Sequence, residues 1–442
     1  MLSPRSLATA AGTALLAVTL AATAADLGKA APGQAGFSAT RLSRIDAVVK
    51  TAIADRQIAG AVVGVARDNK LVYLKSFGAA DAESGRAMTD DTIFRIASMT
   101  KPVTSVAVMM LQEEGKLLIS DPLSKYIPEF KDATVLVAKD QADPSKGHDT
   151  VPAKRAVTLQ DLLSHTSGIS YRFWGGPTAA LYEQAGASDG LEPTAGTIAE
   201  GAKKMASVPL VSQPGERYEY GLNTDILGRV VEVASGMPLD RFFADRIFRP
   251  LGMKDTQFYI ADGQKGRLAS LYIPDGKGGI AKAGNDPIRW GALAFSAGVP
   301  TSATRTYFSG GGGLSSTARD YLRFTQMLLN GGVLDGARLL GPKSVELMRT
   351  NAIGKVSVWD SYAPAAIGNL GDKFGLGFGI KSEAGQNELG SVGEYMWAGI
   401  FNTRFWIDPK ERLSIVVMAQ QIPRVPDIEA KVHAAVYQAI LH

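Results

Sequence analysis

The chain contains no cysteine. That excludes disulfides, thiol nucleophiles, thiolate metal sites and a lipidated N-terminal cysteine. Histidine is almost as scarce. His148, His165, His433 and His442 are the only four, with no metal-ligand spacing among them, which argues against a zinc site. Basic runs are missing too: the net charge of +4 is spread along the sequence and leaves no nucleic-acid footprint. Beyond the first residues, no stretch is long and apolar enough to span a bilayer. What is present is ordinary for a soluble globular protein, with 45% apolar and 20% charged residues. A length of 442 residues suits one large domain or two modest ones.

The N-terminus reads differently from the rest. Arg5 precedes an Ala/Leu/Val stretch from Leu7 to Ala21, and Ala22-Thr23-Ala24 offers small residues where a signal peptidase cuts. Residues 1–25 are therefore expected to be a cleaved signal peptide, which implies a periplasmic or secreted protein without stable membrane insertion afterwards; the alternative is an uncleaved membrane anchor, since an Ala-rich stretch of roughly 19 residues could just span a bilayer.

Leu42, Ile45, Val48, Val49 and Ile53 recur at helical spacing and predict a helix ending near Gly60. Ala61–Arg67 and Leu71–Phe77 form a predicted hairpin about Asp68-Asn69-Lys70. Ser98 to Glu114 reads as a buried helix stopped at Gly115, and the polar stretch 131–153 as a surface insertion. Thr158, with Asp161 in the capping-box position, opens a short helix that Gly168 would end. Between 170 and 300 short helical patterns alternate with Gly/Pro-rich loops; the best is Asp225–Ser235, closed by Gly236. Gly310 to Gly313 lead into an amphipathic helix, Ala318–Leu329. Arg404–Ile407 and Leu413–Met418 are strand candidates, and Ile428–Leu441 a last helix. This order predicts an α/β fold: an antiparallel sheet flanked by helices, built from both chain ends, with a mostly helical inserted domain. The expected division is an α/β domain from 37–125 and 300–442, and a mainly helical domain over 126–299.

Two serine motifs compete for the role of nucleophile. Gly186-Ala187-Ser188-Asp189-Gly190 satisfies G-x-S-x-G. That motif works only on a sharp turn from an apolar strand into a helix, and neither flanks it here. Ser188 reads as a flexible loop serine. Ser98-Met99-Thr100-Lys101 is an S-x-x-K motif, weak by itself but in a favourable context. Pro102 is tolerated only in a first helical turn, which puts Ser98 at the helix start. There the amides and the helix dipole favour negative charge on a substrate oxygen. A spacing of three brings Ser98 and Lys101 to one face, within reach of a direct hydrogen bond. A desolvated lysine there can accept or relay the serine proton. On local evidence alone, an N-cap serine beside a surface lysine reads equally well.

The wider pattern decides between them. Ser98-Met99-Thr100-Lys101-Pro102, then Leu162-Leu163-Ser164-His165-Thr166-Ser167-Gly168, then Pro214-Gly215-Glu216-Arg217-Tyr218-Glu219-Tyr220 with Leu227-Gly228, resemble the serine β-lactamase-like superfamily. So does the Gly-rich entry to the helix at Ala318. The matches run in order from about residue 37 to 440. Relatives in that superfamily include class C β-lactamases, D,D-peptidases, D-amino-acid amidases and family VIII carboxylesterases. The resemblance implies an acyl-enzyme on Ser98, with Tyr220, as a phenolate stabilised by Lys101, the general base. It implies that Trp397-Ala398-Gly399 replaces K-T-G on an edge strand lining the site. It also implies that the Ile400 amide pairs with that of Ser98 as the oxyanion hole. His165 would support the site structurally. No metal or organic cofactor is implied.

Two departures bear on substrate. Leu222 stands where the family's Y-x-N asparagine belongs, with Asn223 one position too far, and Trp397 replaces the lysine or histidine of K-T-G. In lactamases these polar groups hold the side-chain amide and carboxylate of a β-lactam. An aromatic wall suits an uncharged acyl or alcohol group better. The expected activity is therefore that of an exported carboxylesterase acting on short-chain esters, with a small-molecule ester or amide as substrate and no nucleic-acid partner. The alternatives are a β-lactamase or D,D-peptidase/D-aminopeptidase, and a non-catalytic penicillin- or cell-wall-binding protein.

Overall fold

A computed structural model describes residues 26–140, 147–176, 178–360, 371–385 and 388–441; the expected signal peptide lies outside them. Helix α1 spans Arg44–Ala54 and buries Ile45, Val49 and Ala52, one face of a 3.6-residue period. It ends six residues before Gly60, because Gly60 already belongs to a strand. A Cβ there would sit 2.5 Å from the carbonyl of Phe77, so glycine serves strand pairing rather than helix termination. Strands β1 (Gly60–Arg67) and β2 (Lys70–Asp81) form the expected hairpin. Asp68 and Asn69 turn it at φ 51° and 62°, the two positive values that match the twist of antiparallel strands.

Helix α2 (Thr100–Glu113) follows a 3-10 turn at Ala97–Met99, and every residue from Thr100 to Leu111 is buried. Helix α3 (Asn223–Ser235) packs against it in the main core, and α4 (Ala318–Leu329) lies on the sheet. The last strands are β3 (Tyr395–Gly399), β4 (Thr403–Asp408) and β5 (Leu413–Met418), before helix α5 (Pro426–Tyr437).

Among the described residues one sheet has nine strands. Its order is Gly28–Lys29, β2, β1, β5, β4, β3, Gly379–Ile380 and Lys373–Phe374, with Arg86–Ala87 also pairing β2. Residue 62 of β1 thus meets residue 418 of β5, which joins the two ends of the chain. Pairing is antiparallel except at Gly28–Lys29. Side chains alternate between faces. Val63, Val65, Ile415 and Val417 pack under α1 and α5, whereas Val62, Ala66, Val416 and Met418 face α2 and α4.

Residues 126–299 carry helices as expected, including Leu159–Leu163, whose Thr158/Asp161 capping box forms. That helix stops before Gly168, because His165 turns left-handed at φ 55°. The segment also holds three small hairpins that periodicity did not reveal. One, Thr134–Ala138 with His148–Pro152, occupies the expected surface insertion; the others are Tyr272–Pro274 with Ile280–Lys282, and Ile288–Trp290 with Leu293–Phe295. Among the described residues no helix is long and apolar enough to cross a membrane.

Gly236 ends α3 in the left-handed conformation at φ 71°, with open space where a Cβ would lie. Gly236→Ala should therefore cost about 1 kcal/mol from backbone conformation alone. Urea unfolding would show it as a lowered midpoint at unchanged slope.

Candidate active site

The turn into α2 is held from both sides. Strand residues Phe94–Arg95 pair with Ser315–Ser316, and the Ile96 amide donates to the Leu314 carbonyl at 3.0 Å. Ala97 then takes φ 42°, a conformation that costs a residue with a Cβ roughly 1–2 kcal/mol and persists because its surroundings fix it. Ser98 follows, with Pro102 in the first turn of α2. The Ser-x-x-Lys spacing does what a helix requires. Lys101 Nζ lies 3.1 Å from Ser98 Oγ.

Lys101 is 1% exposed, so this is no surface lysine. Its Nζ also donates to the Tyr171 hydroxyl at 2.9 Å and to the Gly311 carbonyl at 2.7 Å. Behind it stands Asp225 on α3, fully buried and accepting from Ser309. Burial pushes the Asp225 carboxyl up, and the charge of Lys101 pulls it back down.

Tyr220 is fixed by two indoles. Trp174 Nε1 donates to its carbonyl at 2.7 Å, and Trp397 Nε1 to its hydroxyl at 3.1 Å. Lys101 Nζ sits over the Tyr220 ring, 4.7 Å from the centroid. Lys101 thus meets Tyr220 at the face of the ring, whereas the hydroxyl takes its hydrogen bond from Trp397.

His165 packs against Tyr220 at 4.8 Å between ring centroids. Its Nδ1 accepts from the Asn223 side-chain amide at 2.9 Å, with the Gly221 amide at 3.4 Å. Burial, and secondarily the charge of Lys101, holds its pKa well below the usual histidine value. His165 is a neutral buttress under the tyrosine.

Leu222 requires a correction. It is fully buried in the main core and does not line the cavity. The reason lies one residue earlier: a Cβ on Gly221 would fall 2.0 Å from the Ile169 carbonyl. The chain is pressed there against residues 169–170, and Leu222 turns inward. Asn223 turns inward too, and braces His165.

Trp397 also differs from expectation. Strand β3 is an edge only from Trp397 onward, since Tyr395 and Met396 pair with Gly379–Ile380 as well as with β4. The Trp397 indole touches the cavity, but its N–H is spent on Tyr220. Gly399 has to be glycine: a Cβ would meet the Ile96 carbonyl at 2.3 Å. That close approach brings Ile400 opposite the turn that carries Ser98, and both line the cavity.

The cavity encloses about 270 Å³. Its walls are Tyr171, Phe173, Trp174, Leu191, Leu293, Trp397 and Ile400, with Ser98 and Tyr220 in the lining and Arg424 and Asp189 as its charged members. Both are spoken for: Arg424 bonds Glu429 through two nitrogens, and Asp189 bonds Arg172. Tyr171, Phe173, Trp174 and Leu293 carry no motif, and sequence reading missed them; only the nearness of Tyr171 to Gly168 hints at its place. Ser188 bonds Thr194 at 2.7 Å and takes the Gly190 amide, pinned in a local turn rather than flexible, and outside the cavity lining. Among the described residues no cluster of His, Asp or Glu could hold a metal ion.

A two-ended sheet packed on a buried helix that opens with Ser-x-x-Lys is the architecture of the β-lactamase-fold hydrolases. The chain belongs to the Beta-lactamase family, whose model matches residues 45–439. Protein Rv1367c of Mycobacterium tuberculosis is 36% identical over 384 residues, covering 86% of this chain and 89% of its own. Esterase EstB of Burkholderia gladioli is 33% identical over 293 residues, covering 65% of this chain and 69% of its own. Among solved structures, EstCE1, described as a hydrolase with promiscuous acyltransferase activity, superposes with a TM-score of 0.77 at 26% identity. That match covers 90% of this chain and 99% of the other.

A neutral buried His165 makes stability depend on pH in a defined direction. The unfolded chain binds a proton at this residue near pH 6.5 and the folded protein only well below that. Its contribution is therefore complete above about pH 6.5 and declines as the pH falls further, by at most about 1.4 kcal/mol per unit. Between pH 7.5 and 5 the thermal midpoint of the unmodified protein should fall more steeply than that of His165→Gln; parallel curves would contradict the assignment.

Proposed function

We propose that this protein is an exported serine carboxylesterase that forms an acyl-enzyme on Ser98 and prefers short-chain esters. The observation that carries the reading is the 3.1 Å contact between Lys101 Nζ and Ser98 Oγ at an aromatic cavity of about 270 Å³. Ser98 attacks the ester carbonyl and its proton passes to the Tyr220 oxygen, which returns it to the departing alcohol; water then cleaves the acyl-enzyme. Tyr220 is the proton carrier, its oxygen oriented by the Trp397 N–H. The amides of Ser98 and Ile400 receive the oxyanion. The leader-like pattern over residues 5–24 supports export.

Ester over β-lactam is favoured by the walls. Trp397 stands where the resemblance puts a lactamase cation, and its single donor is already engaged. Arg424 is paired with Glu429. Among the described lining residues no unpaired cation is therefore offered to a substrate carboxylate, whereas aromatic surface is plentiful for an uncharged acyl group. A β-lactamase or D,D-peptidase on the same fold is the second reading, supported by the shared nucleophile arrangement. A non-catalytic binding protein fits less well, since Ser98, Lys101 and Tyr220 are all present at one site.

Ser98→Ala should remove ester hydrolysis, with a loss on the order of 10⁶ in turnover, while Ser188→Ala should be nearly silent. Tyr220→Phe keeps the ring and should slow turnover by roughly 10² to 10⁴. Steady-state assays with p-nitrophenyl butyrate read all three, and a swap between the two serines would overturn the assignment.

Substrate class is tested on one preparation with two chromogenic substrates. kcat/KM for p-nitrophenyl butyrate should greatly exceed that for nitrocefin. A ratio in favour of nitrocefin would put β-lactamase first.

A further inference from the structure

An ammonium group has three protons to place. Lys101 places them on Ser98 Oγ at 3.1 Å, the Tyr171 hydroxyl at 2.9 Å and the Gly311 carbonyl at 2.7 Å. At 1% exposure, water cannot readily replace an acceptor that is lost. The three acceptors are not equivalent during catalysis. Ser98 Oγ becomes an ester oxygen on acylation, a poorer acceptor, and the Gly311 carbonyl belongs to the backbone. Tyr171 is the one side-chain acceptor that persists through the whole cycle.

The surroundings of Tyr171 suit that role. Burial first, then the neighbouring Tyr220, Asp225, Asp189 and Tyr307, drives its pKa well above the usual phenol value. It stays neutral, and offers Lys101 a lone pair without acquiring charge. Its ring is stacked on Phe173 at 4.3 Å, which fixes the direction of the hydroxyl. Tyr220, by contrast, presents its ring face to Lys101 and its hydroxyl to Trp397.

We propose that Tyr171 is a positioning residue of the acyl-transfer reaction, its phenol oxygen holding the Lys101 ammonium against Ser98. This rests on the reading of Ser98 as nucleophile. Two phenols then divide the work at one lysine: Tyr171 stays neutral and fixes the cation, and Tyr220 carries the proton. Without the Tyr171 oxygen one N–H of a buried cation has no acceptor, and Nζ is free to swing toward the Tyr220 ring and away from Ser98.

The test is Tyr171→Phe, which keeps the stacked ring and deletes the acceptor. Turnover of p-nitrophenyl butyrate should fall about 10- to 100-fold, as expected for one hydrogen bond to a charged group, with KM changed by less than about threefold. The rate at which a fluorophosphonate probe labels Ser98 in the folded enzyme should fall in the same proportion. A merely structural tyrosine would lower the thermal midpoint or raise KM but leave that labelling rate alone. The labelling rate is read on Tyr171→Phe whose far-ultraviolet spectrum and thermal transition show it folded, and Tyr171→His, which keeps a ring and a polar atom, is the second variant if Tyr171→Phe does not fold. Labelling within about twofold of the unmodified rate, with Ser98→Ala unlabelled, would overturn the positioning role and leave the nucleophile standing. Labelling that survives Ser98→Ala would overturn the nucleophile itself.

Discussion

A lysine sealed from water must be met by acceptors, and the ones Lys101 uses come from three separate stretches of chain. Ser98 lies on the turn before α2, Tyr171 on the segment after the His165 loop, and Gly311 on the loop leading into α4. The site cannot form until all three are docked. The cost of desolvating the cation is several kcal/mol; the three hydrogen bonds and the buried carboxylate of Asp225 offset it. Asp225 in turn requires the glycine loop, because a Cβ on Gly311 would fall 2.2 Å from its Oδ2. Burying one charge thus ties the sheet end of the chain to the helical middle.

Close backbone approach does the rest of the positioning. Gly399 lets β3 press against the Ile96 carbonyl, and Gly221 lets the Tyr220 segment press against Ile169. Ala97 is held left-handed just before Ser98. These contacts allow no side chain, so the cavity wall and the serine turn have little freedom to drift. Preorganisation of this kind is what a site needs if its donors are to meet charge only as it develops.

Much of this was legible in the sequence, for reasons that can be named. Strands β1 and β5 are buried on both faces and advertise themselves as short apolar runs bounded by turn residues, and helix α4 does so by the spacing of its apolar residues. Ser98 and Lys101 were readable because a helix fixes what a spacing of three means. The small hairpins in 126–299 were not: two have strands of three residues, too short for alternation to register, and the third lies in a stretch whose polar composition reads as a loop. Tyr171 and Trp174 were missed because an aromatic residue in a site has the same composition signal as one in a core. Leu222 was misplaced for a related reason: position in a motif assigns a neighbour in sequence, whereas Gly221 decides which way the next side chain points. Trp397 was located but not its bond, because only the fold brings its indole to Tyr220.

That bond changes what the Trp397 position does. By resemblance, a lactamase spends this residue on the substrate carboxylate. Here the side chain is an indole, which has one donor and no acceptor, and the donor faces the Tyr220 oxygen. The indole N–H is therefore committed to Tyr220 rather than open to a ligand. Recognition passes to surfaces without charge, namely the rings of Tyr171, Phe173 and Trp174 and the aliphatic side chains of Leu191, Leu293 and Ile400. Such walls discriminate by size and shape, within a cavity of about 270 Å³. A site that keeps Ser98 and Lys101 together thus departs from the lactamase pattern at one donor, which faces Tyr220.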